Sequence, residues 1–304
     1  MRERAVTFGS HGGLVGVLCE GEGARRDGPA MLMFNIGLNH RPGPGRVQVE
    51  LARELARLGF VSLRFDLAGL GDSEPRKDAK GSDVERAAQD LAEAMDFVQR
   101  RTGIDRFVLL SLCSGTDGAH AVAVQDPRVH GAIFIDGYAY VTAGYHLQRA
   151  LTRARRALVP SRWRRFVERR LLRRRERNLE TRAPEPVFDR VYPPRERFRR
   201  DLDGLVARRV NLFFLFTAEA HAYNHRDQFP WMVGWRALPP AVTVELWSDA
   251  DHVFSTLRRR RALVARLCAW MDATFAGQSS EGRPAGPARA GPSEGQARGA
   301  GERA

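Results

Sequence analysis

Short apolar runs alternate with segments that carry helix signals, and this alternation constrains the fold more than any other feature. An apolar run of five to seven residues fits a strand that is buried on both faces of a sheet. Strands that alternate with helices form a parallel sheet with helices on both faces. The sequence therefore predicts an α/β fold with a mostly parallel sheet. The strand-like runs are residues 30–35, 60–65, 107–113, 129–135, 210–216 and 241–247, and two further strands are expected within 4–19.

One segment interrupts the alternation. Residues 137–205 contain no strand-like run, and we expect them to form a helical cap inserted into the sheet domain. The α/β core is then expected to comprise residues 1–136 and 206–275. Residues 276–304 consist mainly of Gly, Pro, Ala, Ser, Arg and Glu without periodicity, which predicts a disordered tail.

The chain also lacks several features that would define other classes of protein. No apolar run approaches the roughly 20 residues of a membrane-spanning helix, and the N-terminus has no secretory signal pattern. The three cysteines are widely spaced, which predicts neither a disulfide framework nor a zinc cluster. A cytoplasmic location is therefore expected.

The segment RFVLLSLCSGTDGAH, residues 106–120, leads from a strand through small residues into a helix. A nucleophile elbow has this form, because its sharp turn needs small residues two positions before and after the nucleophile. With Cys113 at the centre, Ser111 and Gly115 fill these positions; with Ser114 at the centre, a leucine and a threonine would. The pattern favours Cys113 as a nucleophile at a helix N-terminus, where the helix dipole favours a thiolate. A buried cysteine that merely ends a strand is the alternative.

A base and an acid are expected in loops after later strands, because nucleophile, acid and histidine follow in this order in one class of hydrolases. His252, just past the last predicted strand, is the candidate base. Glu219 is the preferred acid because it is the first carboxylate after the strand at 210–216, and Asp136 and Asp227 are the alternatives.

An oxyanion hole needs two backbone N–H groups. The residue after the nucleophile, Ser114, is expected to supply one of them. The second is expected from the loop after the strand at 30–35, where the candidates are Ile36, Gly37 and Leu38. The glycines of residues 66–73, DLAGLGDS, are interpreted as turn residues with a structural role.

Four motifs together resemble a bacterial group within the α/β-hydrolase fold superfamily, and the resemblance covers about residues 1–275. It implies an ester, thioester or related acyl substrate and neither a metal nor a cofactor. This chain departs from the usual pattern at two points. Cys113 replaces the usual serine, as in dienelactone hydrolases. The position where the group usually has an aspartate lacks one here, and Glu219 is the nearest match. The motifs are GLNHR at 37–41, RFDLAGLGDS at 64–73, LCSG at 112–115 and DHVF at 251–254.

These residues predict an acyl hydrolase or acyltransferase that forms an acyl-Cys113 intermediate, with His252 as base and Glu219 orienting it. Water as the acceptor would give hydrolysis, and an alcohol or amine would give acyl transfer. The rival hypothesis is a non-catalytic module that keeps the hydrolase scaffold and binds an anionic partner or membrane through its cap.

The charge distribution suggests the kind of partner. The chain has a net charge of +13, and residues 149–200 carry all of that excess, with 19 arginines against six acids. Such a cap would attract an anionic donor such as acyl-CoA or an acidic acyl carrier protein. A solvated helical face and docking on anionic lipid are the alternatives, and the absence of a recognised motif argues against nucleic acid. The arginines expected to bind the anion are Arg164, Arg165, Arg169 and Arg170.

Overall fold

The computed structural model describes residues 1–10, 12–35, 37–77, 80–157 and 192–275. Its eight strands form one sheet in the order β1-β2-β4-β3-β5-β6-β7-β8. β1 and β2 pair as an antiparallel hairpin, β2 is antiparallel to β4, and the remaining pairs are parallel. The predicted mostly parallel α/β sheet is confirmed. The strands are β1 (Arg2–Phe8), β2 (Leu14–Glu20), β3 (Ala30–Met33), β4 (Ser62–Phe65), β5 (Phe107–Leu112), β6 (Val129–Ile135), β7 (Asn211–Thr217) and β8 (Val242–Trp247).

Helices cover both faces of the sheet, because successive side chains of the central strands point to opposite faces and are apolar on both. One face packs against α1 and α7 and the other against α2, α3 and α5, which gives two separate apolar cores. The described helices are α1 (Val47–Arg57), α2 (Asp83–Thr102), α3 (Gly115–Gln125), α4 (Ala143–Ala157), α5 (Arg195–Ala207), α6 (Gln228–Val233) and α7 (Leu257–Phe275).

Local capping signals fix several of these helix ends. The Ser82 hydroxyl accepts from the Glu85 N–H and the Glu85 carboxylate accepts from the Ser82 N–H, so a capping box starts α2. At the start of the last helix, α7, Thr256 and not Ser255 supplies the side-chain acceptor. The Ser255 hydroxyl bonds Asp251, and the Thr256 hydroxyl accepts the Arg259 N–H at 3.4 Å instead.

The stretch between β6 and β7 is where the helical insertion was expected. The described part begins with α4 and ends with α5, and α5 buries Phe198, Leu202 and Leu205 in the core that also covers β6 and β7. Residues 158–191 lie outside the described residues, as does the predicted tail, so both assignments stay predictions. No helix in the described part of the chain is long and apolar enough to cross a membrane.

Candidate active site

Cys113 occupies the sharp turn between β5 and α3. Its φ of 53° lies in the left-handed region, which costs energy for a residue with a side chain and is typical of a nucleophile elbow. Two backbone bonds hold the turn: the Cys113 N–H donates to the Ile135 carbonyl at 2.9 Å, and the Cys113 carbonyl accepts the Thr116 N–H at 3.0 Å. The thiol is half-buried, whereas Cys19 and Cys268 are buried. The strand-to-helix turn is thus centred on Cys113 and not on Ser114, whose backbone is helical.

The small residues beside Cys113 are explained by close contacts. A Cβ added to Gly115 would lie 3.2 Å from a Phe34 ring carbon and 3.3 Å from the Asn35 carbonyl oxygen, closer than most such contacts. The elbow and the segment after β3 therefore touch, which is the approach that an oxyanion hole requires. Ser111, two residues before Cys113, is buried and donates to the Ile133 carbonyl at 3.1 Å.

His252 lies between Cys113 and a carboxylate. Its Nδ1 is 2.7 Å from Asp136 Oδ2, and its ring also hydrogen-bonds the Cys113 side chain, so Nε2 faces the thiol. Asp136 directly follows β6, and its φ of 46° is also left-handed. The structure therefore brings Cys113, His252 and Asp136 into one line across the carboxyl ends of β5, β6 and β8.

The expectation that Glu219 orients the imidazole needs correction. Glu219 is exposed, and its carboxylate accepts the backbone N–H of His252 at 3.2 Å instead of binding the ring. Asp136 reaches the ring because it follows β6, which lies beside β5, so the carboxyl end of β6 is close to the elbow at the end of β5. Asp227, the other alternative, is an exposed residue at the N-terminus of α6.

Thr217 holds the Asp136 carboxylate in place. The Thr217 N–H donates to Asp136 Oδ1 at 2.7 Å, and the Thr217 hydroxyl donates to Asp136 Oδ2 at 2.6 Å. Both residues are buried, so these charge-assisted bonds act where water cannot replace them. Thr217 ends β7, the strand after which the acid was expected. Here the end of β7 instead supplies the residue that holds Asp136, which follows the neighbouring strand β6.

The two acceptors on either side of the ring make His252 strongly basic. The hydrogen bond that His252 donates to Asp136 is the largest cause and the bond with Cys113 the next, and together they raise the pKa of His252 to about 10 against the opposing effect of burial. The ring is therefore protonated at neutral pH. A cationic imidazole beside a thiol stabilises the thiolate, the form of cysteine that attacks carbonyl groups.

A turn keeps His252 at the end of β8. The Asp251 carboxylate accepts the N–H groups of Val253 and Ser255 at 3.1 and 2.9 Å, and also the Ser255 hydroxyl. These bonds lower the pKa of Asp251, with the Ser255 hydroxyl as the largest cause. Asp251 thus stabilises the loop that carries the base.

A buried polar network fixes the loop after β3, where the second oxyanion donor is expected. Asn35 donates to Asp66 Oδ1 at 2.9 Å and to the Asn39 carbonyl at 2.8 Å, and its side-chain oxygen accepts the Leu67 N–H. Asp66, fully buried, also accepts the Arg41 N–H at 2.7 Å and forms an ion pair with the Arg41 guanidinium. The GLNHR and RFDLAGLGDS motifs therefore meet in one buried polar network.

The assignment of backbone N–H groups to an oxyanion hole stays a prediction. Ser114 lies at the N-terminus of α3, where backbone N–H groups lack intrahelical acceptors. Gly37 has a left-handed φ of 54° and Leu38 is exposed, whereas Ile36 lies outside the described residues. The four cap arginines, Arg164, Arg165, Arg169 and Arg170, also lie outside them. Within the described ranges no group of His, Cys, Asp or Glu side chains could hold a metal ion.

Two contributors to the site were not found from the sequence. Thr217 ends an apolar strand, and nothing in the one-dimensional pattern indicates that it faces the end of β6. Asn35 lies two residues after β3, and its only signal was a polar residue at the close of an otherwise apolar run. In a parallel sheet such positions meet at the carboxyl edge, so polar residues at strand ends are the signal to look for.

Comparison with known proteins agrees with this architecture. Residues 36–183 match the family model of the α/β hydrolase fold. No curated protein matches the chain.

Several solved structures share the fold at low sequence identity. The esterase domain of a Rhodothermus marinus protein has a TM-score of 0.54 at 16% identity, covering 91% of this chain and 100% of that one. The mouse α/β hydrolase domain-containing protein 10 has a TM-score of 0.51 at 14% identity, covering 89% and 99%. An α/β serine hydrolase without a lid from Xanthomonas campestris has a TM-score of 0.50 at 14% identity, covering 90% and 93%. The chain therefore has the α/β-hydrolase fold.

Proposed function

We propose that this protein is a cysteine-nucleophile acyl hydrolase or acyltransferase that acts on esters or thioesters through an acyl-Cys113 intermediate. The placement of His252 between the Cys113 side chain and Asp136 carries this proposal. A nucleophile, a base in contact with it and an orienting carboxylate are the three parts of a catalytic triad. The α/β-hydrolase fold provides the setting in which such a triad acts on carbonyl carbons.

In the first half of the reaction the Cys113 thiolate attacks the acyl carbonyl carbon, and a sulfur–carbon bond forms. The carbonyl oxygen becomes an oxyanion, which the Ser114 N–H and one N–H of the loop after β3 would stabilise. When the tetrahedral intermediate collapses, the bond to the leaving group breaks. His252 Nε2 gives its proton to that leaving alcohol or thiol, and a thioester on Cys113 remains.

In the second half the neutral His252 takes a proton from the acceptor, which attacks the thioester carbonyl. Water as the acceptor gives a carboxylic acid, whereas an alcohol or amine gives an ester or amide. Collapse of the second intermediate returns the Cys113 thiolate beside a protonated His252. Asp136 accepts the Nδ1–H bond and stabilises the imidazolium at both ends of the cycle.

A thioester donor suits this site best. Transfer of an acyl group from one sulfur to another is nearly isoenergetic, so the acyl-Cys113 intermediate forms without an uphill step. Acyl-CoA and acyl carrier proteins are the thioester donors that the basic segment at 149–200 would attract, because both are anionic. The donor is therefore proposed to be an anionic acyl thioester.

Intact-mass measurement after incubation with a panel of acyl thioesters and activated esters tests the proposal. We expect a mass increase of one acyl group on the wild-type protein and none on Cys113→Ala. Cys113→Ser keeps the elbow geometry and should retain slow ester cleavage while losing most activity on thioesters.

Cys268→Ala is the matched control, because burial raises the pKa of Cys268 to about 12 and leaves that thiol unreactive at neutral pH. It should form the adduct as the wild type does. An adduct on Cys113→Ala, or no adduct with any acyl donor, would contradict the proposed chemistry. In the second case a binding role for the retained hydrolase scaffold would be the better interpretation.

A further inference from the structure

Helix α4 follows the strand that ends at Asp136, and its apolar side faces outward. Leu147 and Leu151, one turn apart on the same side of the helix, are 63% and 45% exposed. Gln148 and Thr152 lie on another side and are half-buried. A helix on the surface of a globular protein normally buries its apolar side and exposes its polar one. The orientation of α4 is therefore the reverse of the usual one.

The attachment of α4 explains how it keeps this orientation. The Tyr145 hydroxyl donates to the His221 carbonyl at 2.8 Å, and the Tyr145 carbonyl accepts the Asn224 side-chain amide at 3.0 Å. These bonds anchor the first turn of α4 to the loop after β7. The leucines take no part in that anchoring and are available for another surface.

The charge of α4 indicates what that surface is. Arg149, Arg153 and Arg155 are exposed, and the helix contains no aspartate or glutamate. The exposed Ala150 and Ala154 extend the apolar side of the helix. By helical geometry Arg153 and Arg155 border this wider side on its two edges, and Arg149 lies nearly opposite it. An apolar strip bordered by arginines, on a helix without acidic residues, is typical of helices that lie in the interface of an anionic membrane. The long arginine side chains would reach lipid phosphates while the leucines enter the acyl region.

Further exposed apolar side chains lie near the segment that leads into α4. Val141, which precedes the helix by two residues, is 47% exposed. Trp231 is 73% exposed and adjoins Met232, whose sulfur contacts the Tyr140 N–H. Tryptophan is enriched where membrane and water meet, because its ring is apolar and its N–H is polar.

We propose that α4 docks this protein on an anionic lipid surface, with Leu147 and Leu151 inserted and with Arg153 and Arg155 at the phosphates. The inference does not depend on the acyl chemistry proposed above. Because α4 begins shortly after Asp136, docking would bring the active-site end of the sheet towards the membrane.

Vesicle co-sedimentation of the full chain tests this inference. We expect binding to phosphatidylcholine vesicles that contain about one-third phosphatidylglycerol and much weaker binding to phosphatidylcholine alone. Raising the salt from about 0.1 M to about 1 M should weaken the binding, because the charges are screened. The Leu147→Gln, Leu151→Gln double variant keeps good helix formers and should bind about tenfold more weakly or worse. Replacing Arg153 and Arg155 by Gln should weaken binding at low salt by about 30-fold.

The Leu238→Gln, Leu257→Gln double variant is the matched control, since both leucines are exposed but lie outside α4. It should bind vesicles as the wild type does, and unchanged Cys113 alkylation would show that all variants are folded. Absent or lipid-independent binding of the wild type would overturn the proposal, as would equal binding by the α4 leucine variant. A lower melting temperature of that variant would show that the chain itself covers these leucines. If the wild type sedimented as a dimer and the α4 leucine variant as a monomer, the leucines would bind a second copy of the chain. Either of these two results would overturn docking on lipid.

Discussion

Replacing Asp136 by asparagine tests the identity of the acid most directly. Asp136 accepts three hydrogen bonds, from the Thr217 N–H at 2.7 Å, the Thr217 hydroxyl at 2.6 Å and His252 Nδ1 at 2.7 Å. In Asp136→Asn the amide oxygen can still accept the Thr217 N–H, which turns the NH₂ group towards the ring. A protonated Nδ1 cannot face a donor, so the imidazole must become neutral with its proton on Nε2.

The size of the effect follows from this change. The bond to Asp136 is the largest cause of the raised pKa of His252, so in the variant that pKa should fall from about 10 towards the ordinary 6.5. The neutral ring no longer stabilises a thiolate, and it presents the wrong tautomer to the acceptor. Losses of this kind in a triad are roughly 10³- to 10⁴-fold in kcat/KM, or about 4 to 5.5 kcal/mol.

The assay is the rate of acylation of Cys113 by an activated ester, followed in a single turnover as a function of pH. Glu219→Gln is the matched control. The Glu219 carboxylate accepts the backbone N–H of His252, and a glutamine oxygen can accept that bond as well. Its rate should stay within about threefold of the wild type, as for an exposed, replaceable hydrogen bond. A larger loss in Glu219→Gln than in Asp136→Asn would refute the assignment of Asp136.

Three further predictions concern the same site. Thr217→Val removes the hydroxyl that donates to Asp136 and should lower kcat about tenfold or more with little change in KM. Thr217→Ser keeps the hydroxyl and should retain the wild-type rate. Effects of equal size on KM and kcat would argue against a positioning role for Thr217. Because the pKa of His252 is raised from 6.5 to about 10, its protonation stabilises the fold fully below pH 6.5 and ceases to do so as the pH rises through about 10. The difference in melting temperature between wild type and His252→Gln should therefore shrink between those pH values, and acylation should fall above about pH 10. Gly115→Ala should lower the free energy of unfolding by about 1–3 kcal/mol in a denaturant titration, because its Cβ would meet Phe34 and the Asn35 carbonyl at 3.2 and 3.3 Å.

The sequence alone was enough to predict the architecture. Apolar runs at 107–113 and 129–135 correspond to β5 and β6, because a strand buried on both faces has to be apolar at every position. The elbow at Cys113 could be found because a sharp turn restricts which residues fit two positions away. The Ser82–Glu85 capping box could be found because both partners are local. All these features depend on neighbours in the chain.

Only the tertiary structure decided how the site is assembled. The sequence favoured Glu219 as the acid over Asp136, although each residue follows a predicted strand. Strand order places the end of β6 directly beside β5, and the end of β7 one strand further away. The imidazole therefore bonds Asp136, Thr217 from β7 holds that carboxylate, and Glu219 bonds only the backbone of His252. The Asn35–Asp66 contact likewise joins residues that are 31 positions apart. Such pairings depend on the distance between strand ends across the sheet, which no local pattern of residues encodes.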